Sequence, residues 1–98
     1  MRTRLQTLQI LEDNLERIKA FGVKQLGIFG SVARGEETEK SDIDVLVDLE
    51  RETFDNYMGL LFYLEDLFGK KVDLAIKNSL KPRIRDRILA ETVYVKGL

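Results

Sequence analysis

The chain has 98 residues, of which 44% are hydrophobic and 34% are charged, and its formal net charge is −1. This length and composition suit one folded domain over residues 1–98 with a modest core and exclude wholesale disorder, while the lack of a basic surplus argues against direct nucleic-acid binding. Because the chain has no cysteine and no histidine, disulfides, zinc–thiolate sites, thiol nucleophiles and the commonest general base are excluded.

The apolar residues follow helical and strand periods in the order α-β-β-α-β-α-β, which indicates an α/β (α+β) fold. The helices are predicted at about 4–20, at 54–68 and from Pro82 onward, where Leu80, Ile84 and Ile88 would be buried. The strands are predicted at 25–29, 43–49, 72–76 and 93–95. No apolar run reaches the roughly 18 residues that span a bilayer, and the N-terminus has no apolar signal core, so we expect a cytoplasmic protein without membrane contacts.

Two aspartates open the second predicted strand, and a third lies within the strand at 72–76. Asp42 and Asp44 alternate with aliphatic residues, so they share the opposite face, roughly 6.6 Å apart along the strand. Asp73 likewise points away from the aliphatic residues on either side of it. Asp42 alone would be explained well enough as a turn residue. Asp73 is harder to explain in this way, because an unpaired charge in an otherwise apolar strand is costly. The three together therefore favour catalysis.

Three carboxylates at one cleft repel each other, so that at least one should have a raised pKa unless a cation is bound. Mg²⁺ usually takes one or two carboxylates together with substrate phosphates. Two such ions can stabilise the attacking and leaving oxygens of a phosphoryl displacement. The sequence thus predicts Mg²⁺ ligands at Asp42, Asp44 and Asp73, with the third carboxylate also available to take a proton from an attacking hydroxyl.

The predicted loop at 30–41 opens with Gly30-Ser31. The glycine allows a close approach to a triphosphate, and Ser31 offers a hydroxyl and an N–H to phosphate oxygens, aided by a helical turn starting near it. Arg34 is equally consistent with neutralising phosphate charge and with a solvated loop side chain. Ser41 either orders the turn before Asp42 or touches phosphate or a metal-bound water.

The same loop has the glycine spacing of a P-loop. Acidic residues, Glu36 and Glu37, stand where that motif requires Lys and Ser or Thr. Two acids at those positions would repel phosphate. The pattern therefore excludes a Walker-type nucleoside triphosphatase.

Residues 30–35 (Gly-Ser-Val-Ala-Arg-Gly) and 41–47 (Ser-Asp-Ile-Asp-Val-Leu-Val) together resemble the signature of the DNA polymerase β-like nucleotidyltransferase superfamily. The sequence of these two segments is most similar to the minimal nucleotidyltransferase (MNT) members of the superfamily, and residues 72–91 also resemble that family. The resemblance implies a small mixed β-sheet with helices packed on one side. It also implies that the three aspartates are the metal-binding and catalytic carboxylates, and that Gly30 and Ser31 form the triphosphate-contacting turn.

The resemblance further implies a Mg²⁺-dependent protein adenylyltransferase antitoxin. Minimal members are often paired with a helical HEPN-domain ribonuclease toxin, and some transfer AMP from ATP to a tyrosine hydroxyl of that toxin. We expect the acceptor to lie on another polypeptide, with Met58, Leu61 and Phe62 as candidate contacts. Two alternatives stay open: an antitoxin that neutralises its toxin by binding alone, and a catalytic subunit that acts on a small-molecule hydroxyl.

Overall fold

A computed structural model describes residues 3–36, 38 and 40–98 of the chain; Glu37, which entered the argument against a P-loop, lies outside the described residues. The helices are α1 (Arg4–Asp13), α2 (Leu15–Lys19), α3 (Gly30–Arg34), α4 (Phe54–Phe68) and α5 (Pro82–Glu91), and a short 3-10 turn covers Lys77–Ser79. The strands are β1 (Val23–Phe29), β2 (Ile43–Leu49), β3 (Val72–Ile76) and β4 (Val93–Tyr94). The predicted α/β class is confirmed.

The four strands form one mixed sheet in the order β3-β2-β1-β4. The β2 strand pairs with β3 in parallel, whereas β1 pairs with β2 and with β4 in antiparallel fashion. A parallel pair needs a crossover connection, and α4 supplies it between β2 and β3. The crossover brings Asp44 and Asp73, which are 29 residues apart in sequence, together at the same end of the two strands.

The main core lies between one face of the sheet and the helices that pack on it. Alternate residues of β2 are aliphatic and almost completely buried, and they belong to one cluster with apolar residues of α1, α2, α3 and α4. The helix residues in this cluster are Leu11, Ile18, Val32, Ala33, Leu60, Leu64 and Phe68. Leu46 and Ile88 are also buried but lie outside the cluster. Leu46 shares its face of the sheet with Asp44, so this second face is covered near its middle.

The single helix predicted over 4–20 is wrong, because the chain breaks at Asn14 into α1 and α2. The backbone of Asn14 leaves helical geometry at φ −119° and ψ 23°. Its side-chain amide donates to the carbonyl of Ile10 at 2.7 Å, and its Oδ1 accepts the hydroxyl of Tyr63 at 3.1 Å. A short polar side chain that bonds to the backbone in this way competes with the helix.

Smaller differences concern element ends. The first strand begins at Val23, two residues before its predicted start, and the predicted loop turn is a five-residue helix that begins at Gly30. The stripe predicted on the last helix is wrong in part: Ile88 is buried, Ile84 is half-buried and Leu80 precedes the helix. Among the helices of the described residues, none has the length and apolar character needed to cross a bilayer.

Candidate active site

The Gly-Ser turn connects β1 to α3 directly. Gly30 is buried and adopts φ +71°, which favours glycine. A Cβ at this position would overlap the carboxylate of Asp44 at Oδ2. The sequence predicts that Gly30 is small so that a triphosphate can approach, and the structure gives a further reason, which is the close approach of Asp44. Ser31 follows in the first turn of α3 and is partly exposed.

Two of the predicted carboxylates lie side by side on the sheet. Asp44 and Asp73 are direct register partners in the parallel β2–β3 pair, where neighbouring strands lie about 4.8 Å apart. Both alternate with buried aliphatic residues and so project from the face opposite the main core. Asp44 is half-buried and Asp73 is exposed. Asp42 immediately precedes β2 and is exposed. The sequence therefore predicted correctly which strands carry these side chains.

The electrostatics couple these side chains. The pKa of Asp44 is raised from 3.8 to about 6, first by burial of the carboxyl and then by the negative charges of Asp73 and Asp42. The carboxylate of Glu91 adds to the effect, and the guanidinium of Arg34 opposes it. Like charges that face one another disfavour ionisation in this way. The site therefore has a surplus of negative charge that a bound cation would relieve.

The arrangement suits a cation but is not a closed metal cage. In the stretches that the structure describes, no three acidic side chains are grouped closely enough to hold a metal ion. The assignment of the three aspartates as metal ligands therefore stays a prediction. Mg²⁺ commonly uses only one or two carboxylates and completes its shell with water and substrate phosphates. The paired Asp44 and Asp73 fit that requirement in their chemistry.

The remaining predicted residues have partners within the protein. The guanidinium of Arg34 pairs with Glu36 at 3.1 Å and with Glu91 at 3.0 Å, and half of its side chain stays exposed. The hydroxyl of Ser41 accepts the backbone N–H of Thr38 at 2.9 Å. Of the two interpretations of Ser41, the structure therefore shows the ordering of the turn. For Arg34 the structure shows a site-facing ion pair rather than a freely solvated side chain.

One residue at the site was missed by the sequence reasoning. Glu91 ends α5, and its Oε1 accepts the N–H of Gly30 at 3.1 Å. The only sequence signal was its place in the C-terminal stretch that resembles the MNT family, because the spacing of apolar residues says nothing about a polar side chain at a helix end. The fold brings Glu91 to a turn that is 61 residues away along the chain.

Comparisons with known proteins agree with this geometry. A family model described as a nucleotidyltransferase domain matches residues 8–95. The chain is 49% identical over 76 residues to the protein adenylyltransferase MntA of Thermococcus cleftensis. This alignment covers 76% of this chain and 77% of the relative. It is 43% identical over 98 residues to a candidate protein adenylyltransferase of Methanocaldococcus jannaschii, which covers 93% of this chain and 100% of the relative.

Solved structures match as well. A candidate minimal nucleotidyltransferase superposes with a TM-score of 0.72 at 36% identity, covering 88% of this chain and 93% of that one. A chain from the complex of a tri-AMPylated Shewanella oneidensis HEPN toxin with an MNT antitoxin has a TM-score of 0.66 at 17% identity, covering 93% of this chain and 73% of that one. At this identity the second likeness shows the fold alone. The resemblance drawn from residues 30–47 is confirmed.

Proposed function

Because this chain belongs to the nucleotidyltransferase domain family, we propose that it is a protein adenylyltransferase antitoxin. Its substrate is ATP, and its acceptor is a tyrosine hydroxyl of a partner HEPN ribonuclease toxin. The observation that carries the proposal is the side-by-side placement of Asp44 and Asp73 next to the Gly-Ser turn. Two relatives with this activity in their names, and the AMPylated toxin in the matched complex, support the choice of acceptor class.

In this proposal Asp42, Asp44 and Asp73 hold Mg²⁺, with two ions in the full complex. When bound, Mg²⁺ supplies positive charge that neutralises the triphosphate and polarises the phosphoryl group under attack. The pKa of Asp44 is raised to about 6, first by burial of the carboxyl and then by the negative charges of Asp73 and Asp42. A cation bound there would offset the contribution of these neighbouring charges, which supports the assignment. Since no histidine is present, the donors are all oxygen atoms, which are the ligands that Mg²⁺ prefers.

Other residues of the chain bind the nucleotide, and Asp73 also accepts a proton. The backbone and hydroxyl of Ser31, with Gly30, contact the triphosphate, and Arg34 neutralises part of its charge. The acceptor hydroxyl oxygen bonds to the α-phosphorus as the bond from the α-phosphorus to the bridging oxygen breaks, and pyrophosphate leaves. Asp73 is exposed and takes the proton of the hydroxyl. Ser41 keeps the loop before Asp42 in place.

Transfer of labelled AMP tests the proposal. The purified chain is incubated with ATP labelled in its α-phosphate, Mg²⁺ and the product of the neighbouring gene, which we expect to be a HEPN-domain toxin. That product is then analysed for a labelled tyrosine. Asp42→Asn with Asp44→Asn should abolish transfer. Asp48→Asn, which removes a charge from the same face further along β2, should keep it. Absence of labelled toxin with the wild-type chain under any divalent cation would contradict the proposal.

The same variants separate the two alternatives. A double variant at Asp42 and Asp44 that still neutralises the toxin in cells would favour an antitoxin that acts by binding. Label that appears on a hydroxylated small molecule in the absence of any protein acceptor would favour the small-molecule reaction. The intact pair of Asp44 and Asp73 favours catalysis over binding alone. Two like charges held side by side reduce the stability of the fold, and a protein that only binds its toxin would have no use for them.

A further inference from the structure

Glu91 contacts two members of the proposed nucleotide site. Its Oε1 accepts the N–H of Gly30 at 3.1 Å, and its Oε2 accepts from Nη1 of Arg34 at 3.0 Å. Its side chain is only 21% exposed, whereas Glu36, the other partner of Arg34, is 62% exposed. A charged pair that is shielded from water is weakened less by screening than an exposed pair. Glu91 is therefore the firmer anchor for the guanidinium.

Gly30 is held between two acidic side chains. Its N–H bonds to Glu91, and its Cα lies so close to Asp44 that no side chain fits. The position of the Gly-Ser turn relative to β2 thus depends on both contacts. The helices α3 and α5 are also in contact, and the Arg34–Glu91 ion pair joins them. A change at Glu91 would free one side of the turn while leaving the β2 side intact.

A carboxylate at this place has an electrostatic cost. The charge of Glu91 is among the causes that raise the pKa of Asp44, and Arg34 opposes it. A further negative charge also repels a triphosphate. This cost is offset when both carboxylate oxygens fix donors in a defined geometry, because charge-assisted bonds of this kind add directional specificity. Among the residues that the structure describes, Arg34 bonds to Glu36 and Glu91 through two of its five N–H donors, which leaves donors for a phosphate.

We propose that Glu91 is a positioning residue for the nucleoside triphosphate, which fixes the Gly30 amide and directs Arg34 toward the phosphates. This inference rests on the proposed function, since it assumes that a nucleotide binds at the Gly-Ser turn. Glu91 acts through its two partners and does not itself contact the nucleotide. The effect of removing it should therefore fall on nucleotide binding and not on the transfer step.

The test compares Glu91→Ala, Glu91→Gln and Arg34→Ala with the double variant Glu91→Ala/Arg34→Ala. The dissociation constant for the non-hydrolysable analogue AMP-PNP with Mg²⁺ is measured by calorimetry, and KM for ATP and kcat are measured on the toxin. Asp86→Asn is the matched control, because Asp86 is an exposed acid on the same helix. Thermal unfolding of each variant shows whether it is folded at the assay temperature.

Glu91→Ala should weaken AMP-PNP binding and raise KM for ATP by about five- to tenfold, which is the size expected for one charge-assisted contact, with kcat nearly unchanged. Glu91→Gln keeps one acceptor oxygen for the Gly30 amide but loses the charge facing Arg34, so its loss should be smaller. The loss in the double variant should be smaller than the sum of the two single losses, because Glu91 acts partly through Arg34 and partly through Gly30. Asp86→Asn should bind AMP-PNP like the wild type.

Several results would overturn the proposal for Glu91, and each has a different meaning. A lower melting temperature with unchanged AMP-PNP affinity would show that Glu91 only stabilises the fold. Tighter binding by Glu91→Ala would show that the carboxylate obstructs the site, and additive losses in the double variant would show that it does not act through Arg34. If Glu91→Ala does not fold, Glu91→Gln gives the same comparison. A wild-type chain that binds no AMP-PNP would overturn the proposed function itself.

Discussion

Asp44→Asn should stabilise the chain in the absence of divalent cations. Asn has nearly the same shape as Asp, so it can occupy the space beside Gly30 without a new overlap. The pKa of Asp44 rises from 3.8 to about 6 on folding. Ionisation of a carboxyl whose pKa is higher in the folded state costs stability as the pH rises from about 4 through about 6, and the loss is complete above that range. An amide does not ionise and avoids this loss.

The size of the effect follows from the pKa shift. A shift of about two units corresponds to at most about 3 kcal/mol, because one unit is about 1.4 kcal/mol. Asp44 is only half-buried, so solvent screening reduces the figure to about 1–2 kcal/mol. In a chain of this length, such a gain raises the melting temperature by roughly 5–10 °C. The substitution would thus increase stability while removing a proposed metal ligand, as is common for groups at functional sites.

Thermal unfolding in a chelating buffer measures this effect. The advantage of Asp44→Asn should be largest near about pH 7 and should fade to nothing below about pH 4, where the wild-type carboxyl is protonated in both states. Asp48→Asn is the control, because it removes the same charge from the same strand face without direct contact with the turn. A variant that is less stable than wild type at neutral pH, or an advantage that does not depend on pH, would refute the reasoning.

Three further predictions follow from single contacts. Gly30→Ala should abolish AMP transfer and lower the melting temperature, because the added Cβ would overlap the carboxylate of Asp44. Gly35 has a similar positive φ of +74° but open space around it, so Gly35→Ala should keep activity. Equal losses of activity in the two variants would contradict this. Tyr57→Phe removes a 2.7 Å bond to the carbonyl of Leu74 and should cost about 1 kcal/mol in denaturant unfolding without changing KM for ATP. Phe62, which is 60% exposed on α4, should tolerate Phe62→Ser without loss of stability, and weaker toxin binding in a pull-down titration would confirm it as a contact.

Most of the fold could be predicted from local patterns. The strand β2 and the helix α4 were predicted with their observed bounds. Aliphatic residues occupy every second position of β2, apolar residues recur at helical spacing in α4, and a glycine with positive φ ends the helix at Gly69. The break at Asn14 could not be predicted in the same way. It depends on the hydroxyl of Tyr63, which comes from another helix. A contact between residues distant in sequence leaves no trace in the spacing of apolar residues.

The candidate site shows the same division. Asp42, Asp44 and the Gly-Ser turn were predicted because their spacing within 15 residues is itself the signal. The register that places Asp44 beside Asp73 requires the β2–β3 pairing, and the burial that raises the pKa of Asp44 requires the packed fold. Glu91 reaches the turn only after the last helix is docked. Sequence reasoning thus located the candidate site residues better than the contacts that hold them in place.

The position of β3 determines from which side the proposed reaction centre can be reached. This strand forms one edge of the sheet, so within the described part of the chain no further strand lies beyond the exposed Asp73. A centre enclosed between inner strands admits only what fits into a narrow cleft. A centre at the rim of a sheet can instead receive a loop that projects from a much larger molecule. The sheet order therefore lets the bulk of an acceptor stay outside while a single side chain enters from the flank.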